Sequence, residues 1–369
     1  MKRNALITRA GALLAPLVAM GMSIASVSAA EKFDTDPKHQ LPRPDAKAAD
    51  MKKPVKVFIL MGQSNMLGMG DVGPVTSKGT LEYLTKTEKR YPHLLDDAGK
   101  WTVRSDVRYV FVMQNKGSMQ IIQNDWLSVR GKTIGPEVQF GYIMGHLLNE
   151  PVLILKACIG NRSLAWDLLP PGSARYTVDG KTYAGYKDTP DSWIEGQPKK
   201  QVDWYAGKQY DDDTGNAKKI LSEIGKYYPG AEKYEIAGFL WWQGNKDQNP
   251  IHASRYEQNL VDLIKSLCKD FNAPNAPFVL STIDGAGGWD MKEPALTIAN
   301  AQLAVADAKK HPEFAGSVKC VEARDFWRAA ADSPNAKQGY HYFHNAGTYI
   351  EVGNAMGWAM AELLSKQEK

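Results

Sequence analysis

Apolar, β-rich runs alternate with helix-like segments along most of this chain, and this alternation limits its fold more than any other feature. Six runs predict strands, at 55–61, 107–113, 152–157, 236–242, 278–282 and 318–322. Five segments between or after them predict helices, at 137–149, 216–228, 253–271, 295–310 and 346–365. Strands that alternate with helices indicate βαβ units. Because these strands are almost continuously apolar, we expect a parallel sheet that is covered by helices on both faces.

The N-terminal segment has the pattern of a secretory signal peptide. A basic start precedes an apolar run over 12–24, and small residues follow this run. We expect cleavage after Ala29 or Ala30, and therefore export to the periplasm or the cell exterior. A membrane anchor is the alternative, but the apolar run is short and contains Pro16 and Gly21.

The net charge of the chain indicates which classes of binding partner are unfavourable. The charge of +4 includes three basic residues and no acidic residue within 1–29, so the chain without that segment carries +1. This balance argues against a nucleic-acid or anionic-membrane partner. Residues 30–54 are polar and aperiodic, and we expect a flexible lead-in before a domain over 55–369. Three cysteines cannot form a disulfide framework, and the sequence leaves open whether Cys268 pairs with Cys320.

The stretch 161–214 interrupts the alternation of strands and helices. It is rich in Pro, Gly, Tyr, Trp and Asp, and it predicts a long irregular insert. Loops of this length in compact domains are usually functional. The insert follows a predicted strand, and open α/β sheets bind ligands beyond the carboxyl ends of their strands. We therefore expect it to line the binding rim and to supply an aromatic platform, with surface decoration as the alternative.

A serine lies in the turn that follows the first predicted strand. The strand runs directly into Gly62-Gln63-Ser64-Asn65-Met66. A serine at this place can project its hydroxyl above the sheet edge, where neighbouring backbone N–H groups can hold an oxyanion. Ser64 is therefore a candidate nucleophile, and an ordinary turn with serine and asparagine as capping residues is the alternative.

Three later turns bring further polar groups to the same predicted edge of the sheet. Gly160 would let the backbone approach a ligand closely, and its neighbour Cys158, without a basic partner, is expected to be a small core residue. Gln243 follows paired tryptophans, which suits a carbohydrate wall beside a hydrogen-bond donor. Alternation along the strand puts one tryptophan in the core and leaves only the other for substrate. His341 precedes the last predicted helix and is a candidate general base.

Five motifs together carry a resemblance to a known family. In chain order they are Gly62-Gln63-Ser64-Asn65-Met66, Ile134-Gly135-Pro136-Glu137, Lys156…Gly160…Ser163-Leu164, Trp242-Gln243-Gly244-x-x-Asp247 and Tyr340-His341…Asn345-Ala346. They resemble the sialate O-acetylesterase-type domain, close to carbohydrate esterase family six, within the SGNH hydrolase superfamily. The resemblance covers roughly 55–366 and implies a three-layer, flavodoxin-like α/β fold. It also implies a secreted serine esterase that removes O-acetyl groups from carbohydrates without a cofactor.

The resemblance implies a role for each matching residue. Ser64 corresponds to the nucleophile, and His341 corresponds to the base that takes its proton. The N–H groups of Ser64 and Gly160 and the side chain of Gln243 correspond to the oxyanion hole. Candidate substrate contacts lie beside these residues, at Gln63, Asn65, Trp242, Asn245 and His344.

Two positions depart from the family pattern. Many relatives have Asp three residues before the catalytic histidine, where this chain has Gln338, and they often have Glu where this chain has Asn245. We therefore expect another carboxylate to orient His341, unless the site is a Ser–His dyad. The candidates for this third member are Glu322, Asp325 and Asp332, and Glu322 is favoured because it ends a predicted strand at the same sheet edge.

Three other hypotheses compete with a carbohydrate esterase. The missing acid favours a carbohydrate-binding protein on the same scaffold, although binding alone would not need the serine, glycine, glutamine and histidine together. A lipase or thioesterase should carry an apolar lid, whereas the insert is polar and aromatic. A metal pair could use His341 and His344, but no cysteine or acidic residue has motif spacing beside them, so we expect no metal.

Overall fold

A computed structural model describes residues 39–284 and 286–367. These residues include twelve strands and seven α-helices. The strands are β1 (Val55–Gly62), β2 (Gly70–Asp71), β3 (Arg104–Asn115), β4 (Ser118–Leu127), β5 (Thr133–Ile134), β6 (Val152–Ala157), β7 (Tyr176–Val178), β8 (Lys181–Tyr183), β9 (Ser192–Ile194), β10 (Tyr234–Trp242), β11 (Phe278–Ser281) and β12 (Val318–Val321). The helices are α1 (Ser64–Leu67), α2 (Glu137–Leu147), α3 (Lys208–Ser222), α4 (Ile224–Tyr227), α5 (Pro250–Asp270), α6 (Ala295–Val305) and α7 (Ala346–Gln367). The predicted signal peptide lies outside the described residues.

Seven strands form the main sheet in the order β12-β11-β10-β1-β6-β3-β4. Every neighbouring pair is parallel except the hairpin of β3 and β4 at one edge. Without that hairpin, and numbered in chain order, the five remaining strands have the order 2-1-3-4-5. This is the order of flavodoxin-like, doubly wound sheets. The predicted α/β fold class is therefore confirmed.

Helices cover both faces of the main sheet and create two hydrophobic cores. Along β1, Val57 and Ile59 enter the core shared with α3, α5 and α6, whereas Phe58 and Leu60 enter the core shared with α2 and α7. All four side chains are completely buried. This arrangement explains why the sequence of the central strands is apolar at nearly every position.

The strand β4 and the insert depart from the sequence prediction. β4 was not expected, because it lies at the outer edge of the sheet with half of its side chains exposed and lacks a continuous apolar run. Within 161–214, β7, β8 and β9 form an antiparallel sheet, and α3 begins at Lys208. Trp193 of β9 packs with Leu169, Ala184 and Ala206 in a small separate core. The insert is therefore more ordered than its composition indicates.

The described part of the lead-in, 39–54, is irregular but packs against the domain. The ring of His39 stacks on Trp358 of α7 with a centroid distance of 4.4 Å, and Leu41 is buried. The N–H of Asp50 donates to the carbonyl of Asn149 at 3.0 Å. These contacts differ from the expected flexible segment.

Two further findings bear on the sequence analysis. Within 39–284 and 286–367, no helix is both long enough and apolar enough to cross a membrane. Cys158 is buried and burial strongly raises the pKa of its thiol, which agrees with a core residue. Cys268 and Cys320 are both free thiols.

Candidate active site

The turn after β1 holds Ser64 at the carboxyl edge of the main sheet. Gly62 has a φ of +149°, and a Cβ on it would lie 2.2 Å from the carbonyl oxygen of Trp242, so this position requires glycine. Ser64 begins α1 and is 8% exposed. The turn after β6 approaches it closely, because a Cβ on Gly160 would lie 3.7 Å from the Cβ of Ser64. The structure thus brings the candidate nucleophile and the candidate oxyanion-hole glycine together.

Asn65 connects the serine turn to the segment that carries His341. Its Nδ2 donates to the carbonyl of Tyr340 at 3.3 Å, and its Oδ1 accepts from the hydroxyl of Tyr349 at 2.8 Å. The same hydroxyl lies 3.2 Å from the carbonyl oxygen of His341. We call this set of contacts the Asn65 clamp. It ties the turn of Ser64 to the segment of His341 through the buried side chains of Asn65 and Tyr349.

His341 lies in the helical segment Gly339–His344, immediately before α7. Its Nδ1 is 3.0 Å from Oε1 of Gln338. A carbonyl oxygen only accepts hydrogen bonds, so we assign the hydrogen to Nδ1, which leaves on Nε2 the lone pair that a general base needs. Burial, and then the nearby His344, lower the pKa of His341 to about 4. The imidazole is therefore neutral near pH 7.

The three carboxylates expected to orient His341 have other partners, and this prediction is wrong. Their partners are Arg324 for Glu322 (2.6 Å), the indole of Trp289 for Asp325 (3.2 Å) and Lys78 for Asp332 (3.4 Å). Gln338, rather than a carboxylate, bonds to Nδ1 of His341. The sequence could place Glu322 at the correct sheet edge, but it could not show that Arg324, two residues further on, folds back onto it.

The side-chain amide of Gln243 forms hydrogen bonds with acceptors of the protein itself. Its Nε2 lies 2.6 Å from Oδ2 of Asp247, 2.9 Å from the carbonyl of Arg162 and 3.1 Å from Oε1 of Gln63. An amide nitrogen has two hydrogens, and three acceptors already compete for them, so none is left for an oxyanion. The expected oxyanion role of Gln243 is therefore corrected to a positioning role. It joins the turns that follow β1, β6 and β10.

Most of the candidate substrate contacts are buried in the protein. Gln63, Asn65 and Trp242 are exposed by 3%, 1% and 0%. Trp241 and Trp242 face opposite sides of the sheet, as alternation predicts, but each lies in one of the two cores. The expectation that one of them meets substrate is wrong, because helices cover both sides of β10. Asn245 faces Asn65, with 3.5 Å between Oδ1 and Nδ2.

Asp247 organises the turn that follows Gly160. Its fully buried carboxylate accepts hydrogen bonds from the backbone N–H groups of Leu164 at 2.8 Å and Ala165 at 2.9 Å. Backbone donors of this kind satisfy a buried carboxylate and fix the path of the loop. The sequence analysis gave Asp247 no role, because its partners lie more than 80 residues away in the chain.

A buried ion pair lies beneath α1. Nζ of Lys156, which is 0% exposed, lies 2.6 Å from Oε2 of Glu137 and 3.1 Å from the carbonyl oxygen of Leu67. The other carboxylate oxygen of Glu137 accepts from the N–H of Gly135 at 3.0 Å. Glu137 and Lys156, two motif residues without an assigned role in the sequence analysis, therefore form a brace under the turn of Ser64.

Exposed aromatic side chains lie along the same edge of the sheet. Tyr340 is 49% exposed and its ring meets His341 edge-on, with centroids 4.5 Å apart. Trp289, after β11, is 59% exposed. The insert contributes the half-buried Trp204, whose ring lies 5.0 Å from the guanidinium of Arg162. An isolated exposed aromatic residue leaves no periodic pattern, so the sequence did not indicate Trp289.

The structure therefore defines an α/β protein whose doubly wound sheet brings the turn of Ser64 and the segment of His341 together at its carboxyl edge. Residues 194–362 match the family model described as "Carbohydrate esterase, sialic acid-specific acetylesterase". The match includes the last two of the five motifs and agrees with the resemblance that they indicated. The matched segment contains His341 but begins after Ser64 and Gly160.

One curated protein and two solved structures are similar to this chain over different lengths. The chain is 36% identical to a probable carbohydrate esterase of Arabidopsis thaliana over 81 residues, which is 21% of this chain and 31% of that protein. The solved structure of an Arabidopsis thaliana protein covers 84% of this chain and 98% of its own, with 17% identity and a TM-score of 0.48. A carbohydrate acetylesterase from Xanthomonas citri covers 84% of this chain and 57% of its own, with 12% identity and a TM-score of 0.48.

Proposed function

We propose that this protein is an exported carbohydrate O-acetylesterase that works through a Ser–His acyl-enzyme mechanism. The Asn65 clamp carries this proposal, because it joins the turn of Ser64 to a segment 275 residues away in the chain. The family description, the exposed Tyr340 and Trp289, and the signal-peptide pattern support the substrate class and the export.

Acylation begins when Oγ of Ser64 attacks the carbonyl carbon of the acetyl ester. Nε2 of His341 accepts the serine proton as the new C–O bond forms. The N–H groups of Ser64 and Gly160 stabilise the negative charge on the carbonyl oxygen. The intermediate collapses with loss of the sugar oxygen, which takes the proton from His341 and leaves an acetyl-serine.

Deacylation repeats these steps with water as the nucleophile. His341 takes a proton from a water molecule, which attacks the acetyl carbonyl, and the same two N–H groups hold the second oxyanion. The bond to Oγ of Ser64 then breaks, the serine regains its proton, and acetate leaves. All of these proton transfers use Nε2 of His341, so its tautomer decides whether the site can work.

Release of acetate from a panel of acetylated glycans tests the substrate class. The panel contains acetylated xylan, acetylated sialic acid and acetylated pectin, with p-nitrophenyl acetate as a general ester. We expect acetate from at least one glycan. A preference for long acyl chains would instead indicate a lipase or thioesterase, and glycan binding without acetate release would indicate a binding protein.

The pH midpoint of the acid limb of kcat/KM is expected to lie well below the usual pKa range of histidine. Burial, and then His344, lower the pKa of His341 to about 4, so the base stays neutral until the pH falls to that value. Activity should therefore persist at pH 5 and disappear only as the pH falls through about 4. Initial rates with p-nitrophenyl acetate between about pH 3.5 and 8 measure this limb. A midpoint near 6.5 would contradict the expectation.

Removal of divalent metals is expected to leave the activity unchanged. The proposed steps use only one serine, one histidine and two backbone N–H groups. Dialysis against EDTA followed by the p-nitrophenyl acetate assay measures this, with a buffer dialysis as the control. A loss of activity that zinc restores would instead assign a metal to His341 and His344.

A further inference from the structure

Gln338 lies between two histidines and contacts both with one oxygen atom. Its Oε1 is 3.0 Å from Nδ1 of His341 and 2.7 Å from Nε2 of His344. The other ring nitrogen of His344, Nδ1, lies 3.1 Å from Oδ1 of Asp71. These four side chains therefore form a continuous hydrogen-bonded chain, which we call the Asp71 relay.

The backbone around the relay adopts a costly conformation. Tyr342, Phe343 and His344 have φ angles of 52°, 53° and 61°, three successive non-glycine residues in the left-handed region. Such residues are sparsely populated and cluster at functional sites. This turn brings His344 back onto the side chain of Gln338, which His341 also contacts. Asp71 reaches the turn from β2, which pairs with β5.

The acceptors around His344 determine its protonation. A carboxylate and an amide oxygen both accept hydrogen bonds and cannot donate them. Nδ1 faces the carboxylate of Asp71 and Nε2 faces Oε1 of Gln338, so both ring nitrogens must carry hydrogen. With Gln338 in this orientation, His344 donates from both ring nitrogens, to Asp71 and to Gln338.

The alternative proton arrangement would disable the base. If His344 lost its Nε2 hydrogen, this atom would become an acceptor and would attract the NH₂ group of Gln338 instead. The rotated amide would then donate to Nδ1 of His341 and force the imidazole hydrogen onto Nε2. That tautomer has no lone pair directed toward the serine.

We propose that Asp71 and His344 are positioning residues that hold Gln338 with its oxygen toward His341 and so fix the active tautomer of the base. A carboxylate three residues before His341 would fix its tautomer directly, whereas the relay fixes it through the amide of Gln338. This proposal rests on the proposed esterase function. Tyr349 of α7, which bonds the same segment, remains neutral because burial strongly raises the pKa of its hydroxyl.

A double-mutant cycle tests the relay in the full-length protein. Asp71→Asn is expected to lower kcat by about 10- to 100-fold with KM nearly unchanged, less than the roughly 10⁴-fold cost of losing the acid of a triad. In a Gln338→Asp background, the new carboxylate can bond His341 directly, so Asp71→Asn should change kcat by less than about threefold. Equal losses in both backgrounds, or a loss below about twofold in the original one, would overturn the relay.

A matched control separates positioning from a structural role. Asp332→Asn, which alters a carboxylate paired with Lys78 outside the relay, should leave kcat unchanged. Asp71→Asn should lower kcat while the unfolding midpoint stays that of the unchanged protein. An equal loss of kcat for both variants, or a fall in the midpoint that accounts for the loss, would contradict the proposal.

Nitrogen NMR on protein with labelled histidines locates the hydrogens on the ring nitrogens of the relay and does not depend on activity. We expect His341 to carry hydrogen on Nδ1 alone and His344 to carry hydrogen on both nitrogens, and we expect Asp71→Asn to change this arrangement. If these signals are found in a protein without esterase activity, the proposed function fails and the relay stands. An active enzyme with hydrogen on Nε2 of His341 would overturn the relay alone.

Discussion

Replacement of Ser64 by alanine is expected to lower kcat for acetyl ester hydrolysis by about 10⁶-fold. The change removes the only atom that can form the acyl-enzyme, while the N–H groups of Ser64 and Gly160 and the base His341 remain. The alanine can keep the short helix α1, because its backbone carbonyl still accepts from the N–H of Gly68 at 3.0 Å. Purified Ser64→Ala is to be compared with the unchanged protein in the p-nitrophenyl acetate assay.

A second serine substitution controls for handling of the variants. Ser254 lies on α5, and its exposed hydroxyl bonds only within that helix, to the carbonyl of Ile251 at 2.8 Å. Ser254→Ala should keep the activity, and both variants should show the unfolding midpoint of the unchanged protein. If Ser64→Ala retains more than about 1% of kcat, Ser64 is not the nucleophile, because residual oxyanion-hole catalysis is far smaller.

Replacement of Lys156 by methionine is expected to destabilise the protein by about 3–5 kcal/mol. The change leaves the carboxylate of Glu137 buried without its counter-charge and the carbonyl of Leu67 without its donor. Desolvated charges without a partner are costly, because no water replaces the lost interaction. Urea unfolding should show a lower midpoint at an unchanged slope, since the surface exposed on unfolding stays the same.

Two comparisons isolate the contribution of burial. Lys366 forms an exposed pair with Glu362 at 3.0 Å, and Lys366→Met should cost less than about 1 kcal/mol. The double variant Lys156→Met/Glu137→Leu removes both buried charges and should recover much of the loss. If Lys156→Met costs no more than Lys366→Met, the brace under α1 does not contribute to stability.

The central sheet was predictable because its strands bury both faces. Val57 and Phe58 are neighbours in sequence, enter different cores and are both fully buried, so the run around them is apolar throughout. The edge strand β4 has no such run, and pairing with β3 rather than its own pattern defines it. Similarly, α3 starts at Lys208 within polar sequence, several residues before its apolar periodicity begins.

Some residues of the site could be predicted from local sequence, and others could not. Ser64, Gly160 and His341 lie in turns at the ends of elements, so local sequence and the family motifs indicated them. Their partners depend on contacts between distant segments, which no local pattern contains. Asp71 and His344, for example, are 273 residues apart, and the sequence offered three nearer carboxylates, of which Glu322 was favoured.

The Asn65 clamp also sets the time at which the site can form during synthesis. The hydrogen bond of Asn65 requires Tyr349 of α7, which is synthesised 284 residues later. A growing chain on the ribosome therefore carries its serine for most of its synthesis without the histidine segment that would complete the site. A chain translocated before folding would lack a complete site until α7 had crossed and docked.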